Sequence, residues 1–269
     1  MISVEKYFEG VASLELMAKH EVGQNFLVDA SVAERIVGLL EEKEGEHILE
    51  IGCGAGSLSY FLAAKKNEVD LIDIDEGMLA KVSSDFAGEH NVHPQYGNAA
   101  KWDYSSYDLI IGNLPYYITS LIIEAVLLNA TKARRLVFMV QKEAAMRLLA
   151  EPKTKEYGPL PILIRLRGKM RRAFNVPRSC FAPAPHVDSS VLVIDLFPNQ
   201  DKGKIAKTYG IANSLFLQRR KTIYNNLKAL THDGQKATEI LDKLRISPSA
   251  RPEELTPDTF LSLAEECGK

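Results

Sequence analysis

His47-Ile48-Leu49-Glu50-Ile51-Gly52-Cys53-Gly54-Ala55-Gly56 joins a short β-type apolar run to a glycine-rich turn, and the segment behind it, Ser57 to Lys66, is compatible with a helix. Strand, glycine turn and helix in that order open a Rossmann-like half, where glycines let the backbone pass close to a ligand. The spacing is G-x-G-x-G. A dinucleotide fingerprint wants its third glycine one place later, and a phosphate loop wants Gly-Lys-Ser/Thr; neither is present. The next strand-like run, Val69-Asp70-Leu71-Ile72-Asp73-Ile74-Asp75, ends in acids. About twenty residues beyond the glycine turn, a carboxylate can take both hydroxyls of a ribose.

Further on, the apolar run Asp108-Leu109-Ile110-Ile111-Gly112 leads into Asn113-Leu114-Pro115-Tyr116. This offers a polar amide, a proline-stiffened carbonyl and an aromatic face at the end of a buried strand. An amino group on a flat ring needs those three things if it is to be methylated. Asn113 and the Leu114 carbonyl accept the two amino hydrogens, Pro115 sets the carbonyl direction, and Tyr116 stacks on the ring. A cationic methyl donor removes the need for a strong general base, so catalysis is mostly positioning and desolvation. Together the two signatures fit the S-adenosylmethionine site of a Rossmann-like methyltransferase.

Strand-like runs at 47–52, 69–74, 108–113 and 135–141 alternate with helical stretches, including Thr119 to Asn129. Such alternation predicts an α/β fold, a parallel sheet covered by helices on both faces. Gly52, Asp73, Asn98 and Asn113 then fall at strand ends, where open α/β sheets bind ligands. Asp29 is a predicted cap for a helix from Ser31 to Glu42. Two further apolar runs, Pro161 to Leu166 and Ser190 to Phe197, read as late strands, with a stiff loop from Phe181 to His186 between them. Composition changes at Pro198 to Gly203. Beyond it the pattern is helical: 205–219, 222–230, 236–244 and 256–267. The expected division is a methyltransferase domain over 1–198, with an N-terminal lid over about 1–30, and a small helical domain over 204–269.

With 269 residues, 46% hydrophobic and 25% charged, the chain has the composition of an ordinary globular protein. No apolar run reaches membrane-span length and the start lacks a signal peptide's apolar core, so a cytosolic protein is expected. Cys53, Cys180 and Cys267 are far apart and form no metal-ligand cluster, so no metal is expected. The net charge of -2 does not advertise nucleic-acid binding. Its distribution says more. Arg165, Arg167, Lys169, Arg171, Arg172 and Arg178 occur with no acid between them, and Arg219, Arg220 and Lys221 form a second cluster. Each reads either as an RNA-phosphate contact or as a solvated charged surface.

Taken together these residues resemble the KsgA family of small-subunit ribosomal RNA adenine dimethyltransferases, nearly end to end. The match includes Gly23-Gln24-Asn25-Phe26-Leu27, Glu50 to Gly56, Asp73-Ile74-Asp75, Asn113 to Thr119, Gln141-Lys142-Glu143, Tyr157-Gly158, Phe181-x-Pro-x-Pro-x-Val187-Asp188-Ser189, and Arg219-Arg220-Lys221-Thr222 with Asn225-Asn226-Leu227. The resemblance implies a class I methyltransferase sheet and transfer of two methyl groups to N6 of each of two neighbouring adenosines near the 3′ end of the small-subunit RNA. The implied substrate is an assembling 30S particle; a monomer is expected. It also implies that Asn25, Leu27, Gly52, Gly54, Asp73, Asn98 and Asn113 contact the cofactor, and that Phe181 stacks on the far face of the target base. Without the family, Gly23 to Leu27 reads as a helix-entry turn and Phe181 equally as a core aromatic. Asn98 departs from the family, which has an aspartate there to accept from the cofactor's adenine amino group; a neutral amide is the weaker acceptor. The alternatives are a resistance-type methylase of large-subunit RNA, disfavoured by the Phe181 to Ser189 and Arg219 to Leu227 segments, and an assembly factor with weak catalysis.

Overall fold

The computed structural model describes residues 25–267. Of the expected lid, residues 1–24 lie outside the described part, Gly23 and Gln24 among them. The described chain begins with a two-residue strand, β1 (Phe26–Leu27), and α1 (Ala30–Gly38). Asp29 caps α1, its carboxylate accepting from the Ser31 and Val32 amides at 3.0 and 3.1 Å. These donors would otherwise be orphaned in the first turn.

β2 (Ile48–Ile51), β3 (Val69–Asp73), β4 (Val92–Tyr96), β5 (Leu109–Asn113) and β6 (Arg135–Gln141) run parallel to their neighbours, with α2 (Ser59–Ala63), α3 (Glu76–Asp85) and α4 (Thr119–Asn129) in the connections. All four residues of β2 are buried, as a strand covered on both faces requires. After β6 come α5 (Lys142–Leu148), α6 (Pro159–Arg167), β7 (Gly168–Val176), β8 (Phe181–Ala182) and β9 (Ser189–Leu196). β9 pairs antiparallel with β6, completing a seven-stranded sheet in the order β4-β3-β2-β5-β6-β9-β7. β8 pairs with β1 in a separate ribbon. Four helices follow: α7 (Lys202–Phe216), α8 (Ile223–Thr231), α9 (Gly234–Leu244) and α10 (Pro257–Glu266). No helix among the described residues is long and apolar enough to cross a membrane.

Three sequence expectations need correction. Pro161 to Leu166 is helical, inside α6, rather than a strand. A short apolar run cannot distinguish a buried helix from a buried strand by periodicity, and the prolines sit in the first turn, where a missing N–H loses no bond. β4 went unrecognised because Pro94 interrupts it. It lies at the sheet edge, bonded on one side only, which tolerates a proline. The expected division at 198–204 treats the chain as two consecutive pieces, whereas among the described residues 146–169 group with those from 197 on as one compact unit and 25–145 with 170–196 as the other. The reason is a second apolar core in which Ala150, Tyr157 and Ile162 pack with Leu215, Leu227, Leu241 and Phe260. Burying each such large side chain contributes about 1.5–3 kcal/mol.

Candidate active site

Because β2 to β6 are parallel, their carboxyl ends share one edge of the sheet. The strand order reverses between β2 and β5, since β3 and β4 lie to one side of β2 and β5 to the other. Crevices at such switch points bind ligands. Here a cavity of about 760 Å³ opens, lined by Asn25, Phe26, Glu50, Gly52, Gly54, Asp73, Asn98 and Asn113 to Tyr116, among others.

Two glycines make the crevice possible. Gly52 has φ +70°, a left-handed conformation that glycine adopts without strain. A Cβ on Gly112 would stand 2.5 Å from the Ile51 carbonyl oxygen, so any side chain there would push β5 away from β2 beneath the site.

Asp73 ends β3 with both carboxylate oxygens engaged, Oδ2 by the Gly54 amide at 2.8 Å and Oδ1 by the Asp75 amide at 2.9 Å. Burial raises its pKa, opposed by these amide bonds. Each oxygen keeps a further lone pair, so the carboxylate is fixed in place yet able to accept from a diol. Asn98 Oδ1 accepts from the Ala100 amide at 2.9 Å, capping the turn Ala99–Lys101. Its remaining lone pair can accept one further hydrogen bond, with the weaker basicity of an amide.

Asn113-Leu114-Pro115-Tyr116 is pinned from several sides. Asn113 Nδ2 lies 3.5 Å from the Asn25 carbonyl, which orients the amide with Oδ1 as the acceptor. The Leu114 amide donates to the Met139 carbonyl at 3.0 Å. The buried Thr119 hydroxyl donates to the Pro115 carbonyl at 2.9 Å. The Tyr116 hydroxyl lies 3.1 Å from Ser189 Oγ, and burial raises its pKa.

Glu50 was not singled out in the sequence, although it lines this cavity. Its carboxyl is 1% exposed and accepts from the Ser59 hydroxyl at 2.6 Å. Burial pushes its pKa up to about 8, the Ser59 bond opposing and the charge of Asp73 adding. An acid inside an otherwise apolar strand was the available signal.

The cavity gathers nine of the expected cofactor and target residues and leaves two out. Leu27 is fully buried, and its register partner Phe181 is 4% exposed within the same apolar core. Phe181 is therefore a core aromatic here. Along a strand, successive side chains face opposite ways. Phe26, one residue before Leu27, is the one lining the cavity, and its ring lies 3.7 Å from where a Gly54 Cβ would stand.

The expected RNA-binding residues divide in the same manner. Arg165 pairs with Glu151 at 2.7 Å and bonds the Pro161 and Leu149 carbonyls. Arg167 is 6% exposed and donates to Gln200 at 2.7 Å, its burial lowering its pKa. Arg219 holds the Lys155 and Thr154 carbonyls at 2.6 and 3.1 Å and Glu253 at 3.2 Å. All three fasten parts of the protein to one another, Arg167 buried and Arg165 and Arg219 partly exposed. Lys169, Arg171 and Arg172 on β7, and Arg220 and Lys221 before α8, are exposed.

Comparison with known proteins agrees with this geometry. The model of the ribosomal RNA adenine dimethylase family matches residues 16–269. Curated relatives called ribosomal RNA small subunit methyltransferase A include those of Lactobacillus acidophilus, 35% identical over 92% of this chain and 90% of that protein, and Malacoplasma penetrans, 31% identical over 96% and 95%. Among solved structures, a dimethyladenosine transferase from Plasmodium falciparum is 26% identical with a TM-score of 0.74, covering 87% of this chain and 94% of that one. The 23S rRNA methyltransferase ErmE, at 22% identity and TM-score 0.67 over 91% of this chain and 100% of its own, shares the fold. A methyltransferase sheet, its strand-end cavity and a family match over nearly the whole length thus converge: the chain belongs to the ribosomal RNA adenine dimethylase family.

Proposed function

We propose that the protein dimethylates N6 of two neighbouring adenosines near the 3′ end of small-subunit ribosomal RNA, in an assembling particle, using S-adenosylmethionine. The observation that carries this reading is the facing of Asn113 to Tyr116 and the Gly52–Gly54 turn onto one cavity. The residues fit the cofactor: Asp73 would take the ribose hydroxyls, Gly52 and Gly54 would let the backbone meet the methionine part, and Asn98 would accept from the adenine amino group. When bound, S-adenosylmethionine supplies an electrophilic methyl on a sulfonium.

The protein's part is positional. Asn113 Oδ1 and the Leu114 carbonyl accept the two hydrogens of the target amino group. This turns the nitrogen's electron density out of conjugation with the ring, toward the methyl. Tyr116 stacks on an adenine that has left its own helix, and the bond to Ser189 holds that ring in one orientation. The pocket walls exclude water, and the methylated nitrogen loses its proton readily, so no basic side chain is required. Lys169, Arg171, Arg172, Arg220 and Lys221 contribute contacts to the RNA backbone; with Arg178 they are the exposed members of the basic segments.

The test is incubation with labelled S-adenosylmethionine and small subunits lacking these methyl groups, with large subunits in parallel, followed by mapping of the modified base. N6,N6-dimethyladenosine in the small subunit alone is the expected result. Label in the large subunit, or tight particle binding without label, overturns it.

A further inference from the structure

Two sequence motifs take no part in the cavity: Gln141-Lys142-Glu143, and the end of the proline-rich segment, His186-Val187-Asp188. The fold joins them. Gln141 is in register with Ser189 across β6 and β9, and the Lys142 amide donates to the Asp188 carbonyl at 3.0 Å. Asp188 Oδ1 accepts from the Arg178 amide, also at 3.0 Å. The result is a cleft of about 340 Å³ lined by Lys142, Glu143, Arg178, His186, Val187 and Asp188.

Lys142, Arg178 and His186 are exposed, and among the described residues none of their side chains makes an ion pair or hydrogen bond. That sets them apart from Arg134, Arg135, Arg165 and Arg219, each of which is paired with a carboxylate. The cleft also lies at the working edge of the sheet. Met139 is the register partner of Asn113, and Lys142 follows it by three residues, about 10 Å along at the rise of a strand. Ser189, which bonds Tyr116, is the neighbour of Asp188.

We propose that this cleft is a phosphate subsite, in which Lys142 and Arg178, with His186 beside them, hold one phosphodiester of the RNA strand next to the adenosine presented to Asn113 and Tyr116. The inference rests on the function proposed above. An arginine fork and a lysine ammonium are the donors suited to phosphate oxygens. Glu143 and Asp188 on the same walls offset much of the positive charge. The cleft therefore recognises through directed donors rather than a net field, and takes a single phosphate rather than a run of them. Gripping the backbone there sets how far the target nucleotide reaches into the cavity.

The experiment is methylation of undermethylated small subunits over a range of salt concentrations by wild type, Lys142→Gln/Arg178→Gln, Lys142→Arg and the control Lys66→Gln, with cofactor binding followed by calorimetry. For the double variant, KM for the particle should rise about ten-fold, and the slope of log affinity against log salt should shrink by about one. Its cofactor affinity should stay within about two-fold, and Lys142→Arg and Lys66→Gln should behave as wild type. A double variant with wild-type KM and salt slope overturns the proposal. So does a loss confined to cofactor affinity, or a Lys142→Arg variant as impaired as the double. A wild type that modifies no small-subunit adenosine overturns the proposed function instead.

Discussion

The carboxyl edge of the sheet and the basic segments are both rich in polar residues, yet they fold to opposite effect. At the edge, Asp73 and Asn113 end their strands and Asn98 follows β4 by two residues, and all three line the cavity. In the basic segments, Arg165, Arg167 and Arg219 bind carbonyls and carboxylates of the protein itself, while Lys169, Arg171, Arg172, Arg220 and Lys221 stay in solvent. A parallel sheet gives every strand end the same address. A run of charges has no such rule, because each side chain settles according to the acceptors that folding brings near. Charge counts alone therefore say little about which cations meet RNA, whereas strand-end position says a good deal about which residues meet ligand.

The largest expected effect lies at Asn113, on the cavity edge. Replacing it by alanine removes one of two acceptors for the target amino group and should lower kcat about a hundred-fold or more, in line with loss of a single oriented polar group. Single-turnover rates with calorimetry would check this; a rate within a few-fold of wild type would return Asn113 to a structural role. Glu50 comes next, as the edge residue whose protonation is tied to folding. Its folded pKa of about 8 lies above the ordinary value of 4.5, so its contribution to stability is full below about 4.5 and is lost as pH rises through about 8. Glu50→Gln should flatten that decline, on the order of a few kcal/mol across the window. Urea unfolding at a series of pH values reads it, and an unchanged slope would be the contrary result.

On the basic side, Arg219→Ala should destabilise the protein by about 1–3 kcal/mol, because it leaves the Lys155 and Thr154 carbonyls and Glu253 without their donor. Arg220→Ala should change stability by no more than about 0.5 kcal/mol while weakening particle binding in a salt-dependent way. Equal unfolding midpoints for the two variants would mean that Arg219 fastens the fold no more than Arg220 does. The smallest effect belongs to Asn98→Asp. A charged acceptor that keeps the Ala100 cap should tighten cofactor binding several-fold, about 1 kcal/mol. Calorimetry showing no gain would mean that the asparagine loses nothing to its ionised counterpart.

Much of the site was legible because it depends on short-range chemistry. The glycine turn after β2, the acid ending β3 and Asn113 to Tyr116 after β5 each announce themselves within a few residues, and parallel pairing brings them together without further instruction. Strand phase and distant partners are not written in neighbouring positions. Leu27 and Phe26 are both buried in one apolar core, and only the folded chain shows that Phe26 also lines the cavity while Leu27 does not. Glu50 sits in an apolar strand, and its hydrogen-bond partner Ser59 lies nine residues on, across the glycine turn.

Local pattern alone therefore settled the alternation of strands and helices, the parallel sheet and the residues at its carboxyl edge, since period, glycine conformation and strand polarity are written in neighbouring positions. The three-dimensional structure alone decided that 159–167 is a helix, that 146–169 joins the helical unit, that Phe181 lies in the core, and which arginines fasten the fold and which remain exposed. Those outcomes turn on burial and on acceptors far away in the chain, and such partners exist only once the core has formed.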